Sequence, residues 1–235
     1  SRLYYEVFLN DTIRLGGGHR DVSLGMYGVD TMRFGLPVPD SVLWSSAQPT
    51  RLSLRLKNRI EGRDVEFYDV DVALRELKYE NGAFAINKQM CDMAWCEVSP
   101  NATVADIEQL YNGGTRAVRF SAGAVKEEVL SYCDEKGVYV ALTAPINSSK
   151  AGLSRSRGGN PSNDPKWREE YVARTTQMIH TTKRHPSVVA YYLADDSANG
   201  ICLYESYLAA KSVTDIPVFY DDGGREWNSD NREYR

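Results

Sequence analysis

Beyond about residue 85 the chain alternates short apolar runs with amphipathic stretches, and few folds accept that pattern. "MCDMAWCEV" reads as a strand and "TVADIEQLYNGG" as a helix, with Thr103 as N-cap, Asp106 three residues on and Gly113 just past the end. "RAVRFS" gives a second strand, and "AVKEEVLSYCDEKG" a second helix stopped by Gly137. "VYVALTA" is a third strand. A polar loop over 147–163 then leads into a long helix from Asp164 to about Arg184, where Tyr171, Val172, Thr175, Met178 and Ile179 recur at helical spacing. "SVVAYYL", "ICLYESYLAAKSV" and "PVFY" complete a fourth strand, a fourth helix and a fifth strand. Repeated βα units joined by short connections require parallel strands with right-handed crossovers. The choice is then a doubly wound sheet or a (β/α)8 barrel.

Before residue 85 the period changes from helical spacing to two. "LYYEVFL", "MRFGLPV", "RLSLRLK" and "DVEFYDVDVAL" alternate, with turn chemistry at Gly16-Gly17-Gly18, Pro37–Asp40 and Glu61-Gly62 and a hairpin signal at Asn81-Gly82. This predicts an antiparallel β-sandwich over 1–84 with Trp44 in its core, followed by an α/β domain over 85–235. The triple glycine has no following helix or Lys-Ser/Thr, so it reads as a turn and not a phosphate loop.

Composition narrows the function classes. The net charge of −4 offers no footprint for nucleic acid or an anionic membrane surface. No apolar run approaches the roughly 20 residues that span a bilayer. The opening "SRLYYEVFLND" lacks the apolar segment of a signal peptide and reads as mid-strand, as though cut from something longer. Cys91, Cys96, Cys133 and Cys202 have no metal-type spacing and are expected as unpaired, mostly buried thiols. No His/Cys/carboxylate cluster suggests a metal, and no cofactor is expected.

The most pointed feature is "VVAYYLADDS", which sets Asp195 and Asp196 behind an apolar strand. A carboxylate pair there must be solvated, paired or used. Trp95 and Trp227 fall at expected strand ends, where a ring could stack on a sugar or simply pack. His185, before a proline and a strand, reads as a packed or capping histidine. The basic loop with Arg155 and Arg157 reads as solvated, at a place where it could shape a cleft.

From Leu43 to Gly224 the chain resembles glycoside hydrolase family 2, the β-galactosidase and β-glucuronidase group. "LWSSAQPTRLSLRLK" is similar to the Leu-Trp-Ser…Pro-x-Leu-Tyr stretch late in that family's immunoglobulin-like domain, and "LRELKYENGAFAINKQ" to the strand pair that opens its barrel. "AVRFS", "CDEKGVYV" and "IPVFYDDGG" match in order and spacing. "DPKWREEYVARTTQMIHTTKRHPSVVAYYLADDS" is the strongest match. The resemblance implies an immunoglobulin-like β-sandwich followed by an incomplete (β/α)8 TIM barrel of about five strands. It implies a carbohydrate substrate and hydrolysis of O-glycosidic bonds.

The family ends its fourth barrel strand in Asn-Glu, whose glutamate is the general acid/base. Asp195 stands in the asparagine position and Asp196 in the glutamate position. Aspartate is one methylene shorter, a shortfall of ~1 Å that can cost roughly 100-fold in rate. Ala94, Trp95 and Cys96 replace Asn-Arg-His, Ala122 replaces a histidine, and Thr143, Ala144 and Pro145 replace Asp/Glu-Ala-Asn. Asp221 keeps the acidic position at strand five and, with Asp195, Trp95 and Trp227, is the expected sugar contact. The family's nucleophilic glutamate follows strand seven and is not in this chain. The resemblance therefore leaves two expectations. One is a glycosidase with a shortened acid; the other is a non-catalytic relative using the barrel as a carbohydrate-binding or interaction surface. A barrel stopped at strand five is also expected to self-associate or to contact the remaining barrel segment.

Overall fold

The structure is a computed structural model that describes residues 1–152, 154, 156, 158–221 and 229–230. Its first element is a four-stranded antiparallel sheet, β1 (Arg2–Leu9), β2 (Ile13–Asp21), β3 (Leu52–Ile60) and β4 (Arg63–Val72), in the order β2-β1-β3-β4. Alternation sorts its side chains by face. Tyr5 opposite Leu56 and Val7 opposite Leu54 share the apolar face, while Tyr4 opposite Lys57 and Glu6 opposite Arg55 share the other. On the charged face Arg59 meets Asp64 at 2.6 Å, Lys57 meets it at 3.4 Å, and Arg55 lies 4.4 Å over the Phe8 ring. These solvent-screened pairs contribute little to stability.

Two expectations fail here. "MRFGLPV" forms no strand: residues 22–39 lack strand structure, since Pro37 and Pro39 have no N–H to offer a sheet edge. The segment lies across the apolar face instead, with Phe34 stacked on Tyr5 at 3.9 Å. The triple glycine is not a turn but part of β2. A Cβ at Gly17 would lie 2.4 Å from the Tyr5 carbonyl oxygen, so glycine allows the close approach beside the bulge at Val7/Phe8. Among the described residues no second sheet packs on this one.

Three further strands, β5 (Leu77–Glu80), β6 (Ala83–Ile86) and β7 (Gln89–Cys91), form a small antiparallel sheet. The hairpin expected at Asn81-Gly82 is present, with both residues left-handed (φ 53° and 80°). "MCDMAWCEV", expected as one strand, is split: β7 stops at Cys91 and the next strand starts at Cys96. The residues between cross from the hairpin to the next sheet, and Trp95 packs edge-on against Phe84, ring centroids 6.1 Å apart.

The third sheet decides the architecture. Strands β8 (Cys96–Val98), β9 (Ala117–Phe120), β10 (Tyr139–Thr143), β11 (Val188–Tyr192) and β12 (Val218–Phe219) are all parallel and lie side by side in chain order. A doubly wound sheet reverses strand order at a switch point; this one does not, so it is an arc of a barrel. The outer layer is α1 (Val104–Asn112), α2 (Glu127–Lys136), α3 (Arg168–Thr182) and α4 (Ile201–Val213). The Thr103/Asp106 capping box forms as expected, and Gly137 ends α2 at φ 72°. Val118, Phe120, Val140, Leu142 and Tyr191 point outward and meet Ile107, Val129, Leu130, Ile179 and Leu203 in one buried cluster. Each such aliphatic contributes roughly 1.5–3 kcal/mol. Tyr171, Thr175 and Ile179 are the buried stripe of α3.

The inward face carries Ala117, Arg119, Tyr139, Ala141, Val189, Ala190, Tyr192 and Phe219. An extra residue in β11 shifts the register between Val140/Ala141 and lets both Val189 and Ala190 point inward. The hairpin sheet closes the amino end of the arc through Phe84 and Ile86. Trp44 was expected in a sandwich core. It packs instead on the base of the barrel, edge-on to Tyr139 at 5.8 Å, and its Nε1 donates to the Asp134 carbonyl at 2.8 Å. An indole needs a partner for its N–H when buried, and the end of α2 supplies one.

Gly137 lies at this junction, where a Cβ would stand 2.5 Å from the Ser46 carbonyl oxygen. Gly114, also at positive φ, has open space around its Cβ position. Gly114→Ala should cost the backbone penalty of about 1–2 kcal/mol. Gly137→Ala should cost clearly more in urea denaturation. Equal costs would show that Ser46 does not pack on the end of α2.

Candidate active site

Side chains that end the parallel strands converge at the carboxyl-terminal side of the arc, where barrel enzymes do their chemistry. Arg119 of β9 is the centre. Its Nη2 lies 2.7 Å from Asp221 Oδ2 and 3.6 Å from Asp195 Oδ1, and its Nε lies 3.6 Å from Glu97 Oε1 on β8. The guanidinium carbon sits 3.6 Å above the Tyr192 ring at the end of β11. With only 12% of its side chain exposed, Arg119 depends on these partners to stay charged in place. Burial works against its charge, but the Asp221 bond and the surrounding carboxylates hold it above the ordinary guanidinium value.

The partners feel the same field. Burial raises the Glu97 carboxyl above the usual glutamate value, Asp195 and Asp221 raise it further, and Arg119 opposes them. Burial pushes the Tyr192 phenol up to about 12, so it is a neutral ring beneath the cation. One strand over, Thr143 ends β10 with its hydroxyl buried and without a hydrogen-bond partner among the described residues.

The two adjacent aspartates have different surroundings. Asp195 turns into the mouth: besides facing Arg119, its Oδ2 accepts the backbone N–H of Ala122, and its own N–H donates to the Ile146 carbonyl at 2.9 Å. Thus Ala122 contacts the site through its main chain. Asp196 is exposed, with a left-handed backbone at φ 29°. The loop is pinned by Ser197, whose hydroxyl donates to the Asp195 carbonyl at 2.8 Å and whose own carbonyl accepts from the Tyr220 hydroxyl.

Of the expected contacts, Asp195 and Asp221 come together on Arg119. Trp95 precedes β8, at the amino end of the strand, because that strand begins later than its sequence pattern suggests, and it packs on Phe84 and not on Arg119. Its ring lines an open groove of about 610 Å³ together with Tyr79, Phe84, Tyr192, Phe219 and Asp221. Trp227, Arg155 and Arg157 lie outside the described residues. Among the described residues no three His, Cys, Asp or Glu side chains converge as metal ligands would. Glu97, Arg119 and Tyr192 were not singled out from sequence. A charged residue at an inward position of the otherwise apolar "AVRF" was the available signal.

The sequence pattern of the glycosyl hydrolases family 2 TIM barrel domain matches residues 96–231, more than half of the chain. A β-galactosidase of Enterobacter cloacae is 28% identical over 204 residues, covering 80% of this chain and 19% of that protein. Among solved structures, β-glucuronidase 3 of Bacteroides uniformis superposes with TM-score 0.70 at 15% identity, over 93% of this chain and 29% of that one. A β-glucuronidase of Ruminococcus gnavus gives TM-score 0.70 at 16% identity, over 93% and 38% of the two chains. At these identities the structural likeness speaks to the fold, and the chain spans about one fifth of the β-galactosidase's length. The strand order, the helical ring and the family match agree: the chain belongs to glycoside hydrolase family 2 and carries five consecutive strands of its TIM barrel.

Proposed function

We propose that this chain is part of a retaining, β-galactosidase-like glycosidase that hydrolyses O-glycosidic bonds of a carbohydrate substrate. The observation that carries the reading is the convergence of Asp195, Asp221, Glu97 and Tyr192 on Arg119 at the carboxyl ends of parallel strands. In this reading Asp196 protonates the leaving glycosidic oxygen and later deprotonates water. Asp195 and Asp221 accept hydrogen bonds from sugar hydroxyls, and Arg119 holds both in place. Trp227 offers a ring for stacking on the sugar. A second carboxylate about 5–5.5 Å from the acid, from the seventh strand of the complete barrel, attacks the anomeric carbon.

The same reading extends to organisation. Residues 1–84 form an immunoglobulin-like module and 85–235 the opening of the catalytic barrel, with β1–β4 as one layer of the module. Exposed Tyr68 and Val70 on β4 support a further layer there. At the barrel, β8 and β12 each have one neighbour among the described strands, which favours contact with the remaining barrel segment.

A specific observation favours a second reading, a non-catalytic carbohydrate-binding relative. Asp196 is short and exposed, while Ala122 and Thr143 stand where the resemblance implies a histidine and an acidic residue. The full-length protein, assayed on aryl β-galactosides and aryl β-glucuronides, separates the two. Asp196→Asn should lower kcat by about 10²–10⁴-fold, the usual worth of a general acid/base. Asp196→Glu, which restores the missing methylene, should keep or raise kcat. Turnover unchanged in Asp196→Asn would remove Asp196 from the mechanism, and no turnover in the wild type would favour the binding protein.

Arg119 supplies a separate test. Arg119→Met removes the cation opposing the raised Glu97 carboxyl, so that carboxyl should titrate at still higher pH, followed by isotope-edited carboxyl spectroscopy. KM should rise as Asp195 and Asp221 lose their common anchor. Lysine should not restore it, since one ammonium cannot bridge three carboxylates as a fork does. An unmoved Glu97 titration would mean that Arg119 does not organise the mouth.

A further inference from the structure

The opposite end of the barrel holds a cluster that the glycosidase reading does not use. His185, 4% exposed, precedes β11 and faces a carboxylate at each ring nitrogen. Its Nδ1 lies 2.6 Å from Asp134 Oδ2 and its Nε2 lies 3.2 Å from Glu127 Oε2, both on α2. Asp134 is a hub. Its other carboxylate oxygen accepts the Ser187 N–H at 3.0 Å, and its carbonyl accepts the Trp44 indole N–H at 2.8 Å.

We propose that His185 is a proton-operated clasp, whose imidazolium form locks the start of β11 to α2 and, through Asp134, steadies the seat of Trp44 on the barrel base. A neutral imidazole donates from one nitrogen only, which would turn the lone pair of the other toward a carboxylate oxygen. Two carboxylate partners are satisfied together only when both nitrogens carry a proton.

The other charged and titratable groups around the ring are compatible with that state. Arg184, next in the chain, pairs with Glu127 Oε1 at 2.5 Å and shares its charge. Arg75, packed beneath β11, donates to the Val188 carbonyl; burial holds its guanidinium down to about 10, so it remains a cation at neutral pH. Burial pushes the phenols of Tyr191 and Tyr139 up to about 12, so both are neutral. Glu127 is 56% exposed and its contact is screened, whereas Asp134 is 21% exposed and dominates. Burial opposes the imidazolium, but Asp134 and then Glu127 outweigh it and raise its proton affinity above the ordinary histidine value. A group whose folded pKa is raised stabilises fully below its unfolded value, about 6.5, and that stabilisation is lost as pH rises through the folded value. The clasp is therefore closed below about pH 6.5 and is lost as pH rises through the raised folded value.

Mass spectrometry resolves the histidines peptide by peptide, which makes the test direct. In the full-length protein, slow exchange of each imidazole C2–H, followed by mass spectrometry against pH, reads the pKa of His185. A value above 6.5 that falls in Asp134→Asn supports the clasp; a value at or below 6.5 in the wild type overturns it. Amide exchange, corrected for its intrinsic pH dependence, should accelerate over 43–46 and 187–192 as pH rises through that pKa. His185→Gln should abolish this dependence, and the same dependence in the variant would also overturn the proposal. Should His185→Gln fail to fold, the imidazole titration of the wild type decides alone.

Discussion

A guanidinium with almost no access to water must be held by negative charge, and Arg119 is that group. Everything at the carboxyl-terminal side of the arc is arranged around it: Asp221 at 2.7 Å, Asp195 and Glu97 at 3.6 Å, and the Tyr192 ring below. Left unpaired, such a charge would cost several kcal/mol, so the pairing fixes how β8, β9, β11 and the loop after β12 sit relative to each other. The site is thus built by one buried cation that several strand ends must meet. The pairing leaves the carboxylates at this end in set positions.

That arrangement needs an exact phase along each strand, and the phase is set at the other end of the barrel. The extra residue in β11 turns Val189 and Ala190 inward together and leaves Tyr192 beneath Arg119. Below, Phe84 and Ile86 of the hairpin sheet and Trp44 fill the base. His185 and Asp134 tie the first residues of β11 to α2. One strand therefore links the base cluster to Asp195 and Asp196, and its packed interior leaves little room for it to slide.

Much of this was legible in the sequence, and the failures have physical causes. The βα units after residue 96 carry strong local signals: the Thr103/Asp106 box, the glycine after α2 and the apolar stripe of α3. Doubly wound and barrel topologies share those signals, and only the observed strand order separates them. The triple glycine misled because glycine serves a turn and a crowded strand equally well, and the deciding neighbour, Tyr5, comes from another strand. "MRFGLPV" alternates properly but lies across a sheet face without pairing at an edge. Trp44 was correctly read as buried, yet what it is buried against is a long-range fact. Asp195 and Asp196 look alike in sequence, while a left-handed residue at Asp196 turns one inward and leaves the other in solvent. Arg119 was passed over because a lone arginine in a strand normally reads as a solvated edge; its burial appears only when four other segments close around it.

The proposed function requires that sugar bind at the Arg119-centred end of the barrel and not on the antiparallel sheet. Hydrogen exchange of the full-length protein, with and without a saturating cationic iminosugar that mimics the charge of a glycosidase transition state, tests it most directly. Protection is expected in peptides covering 117–123 and 192–197, with none over 2–21 and 52–72. Protection confined to the antiparallel sheet, with 117–123 and 192–197 unchanged by a bound ligand, would contradict the account.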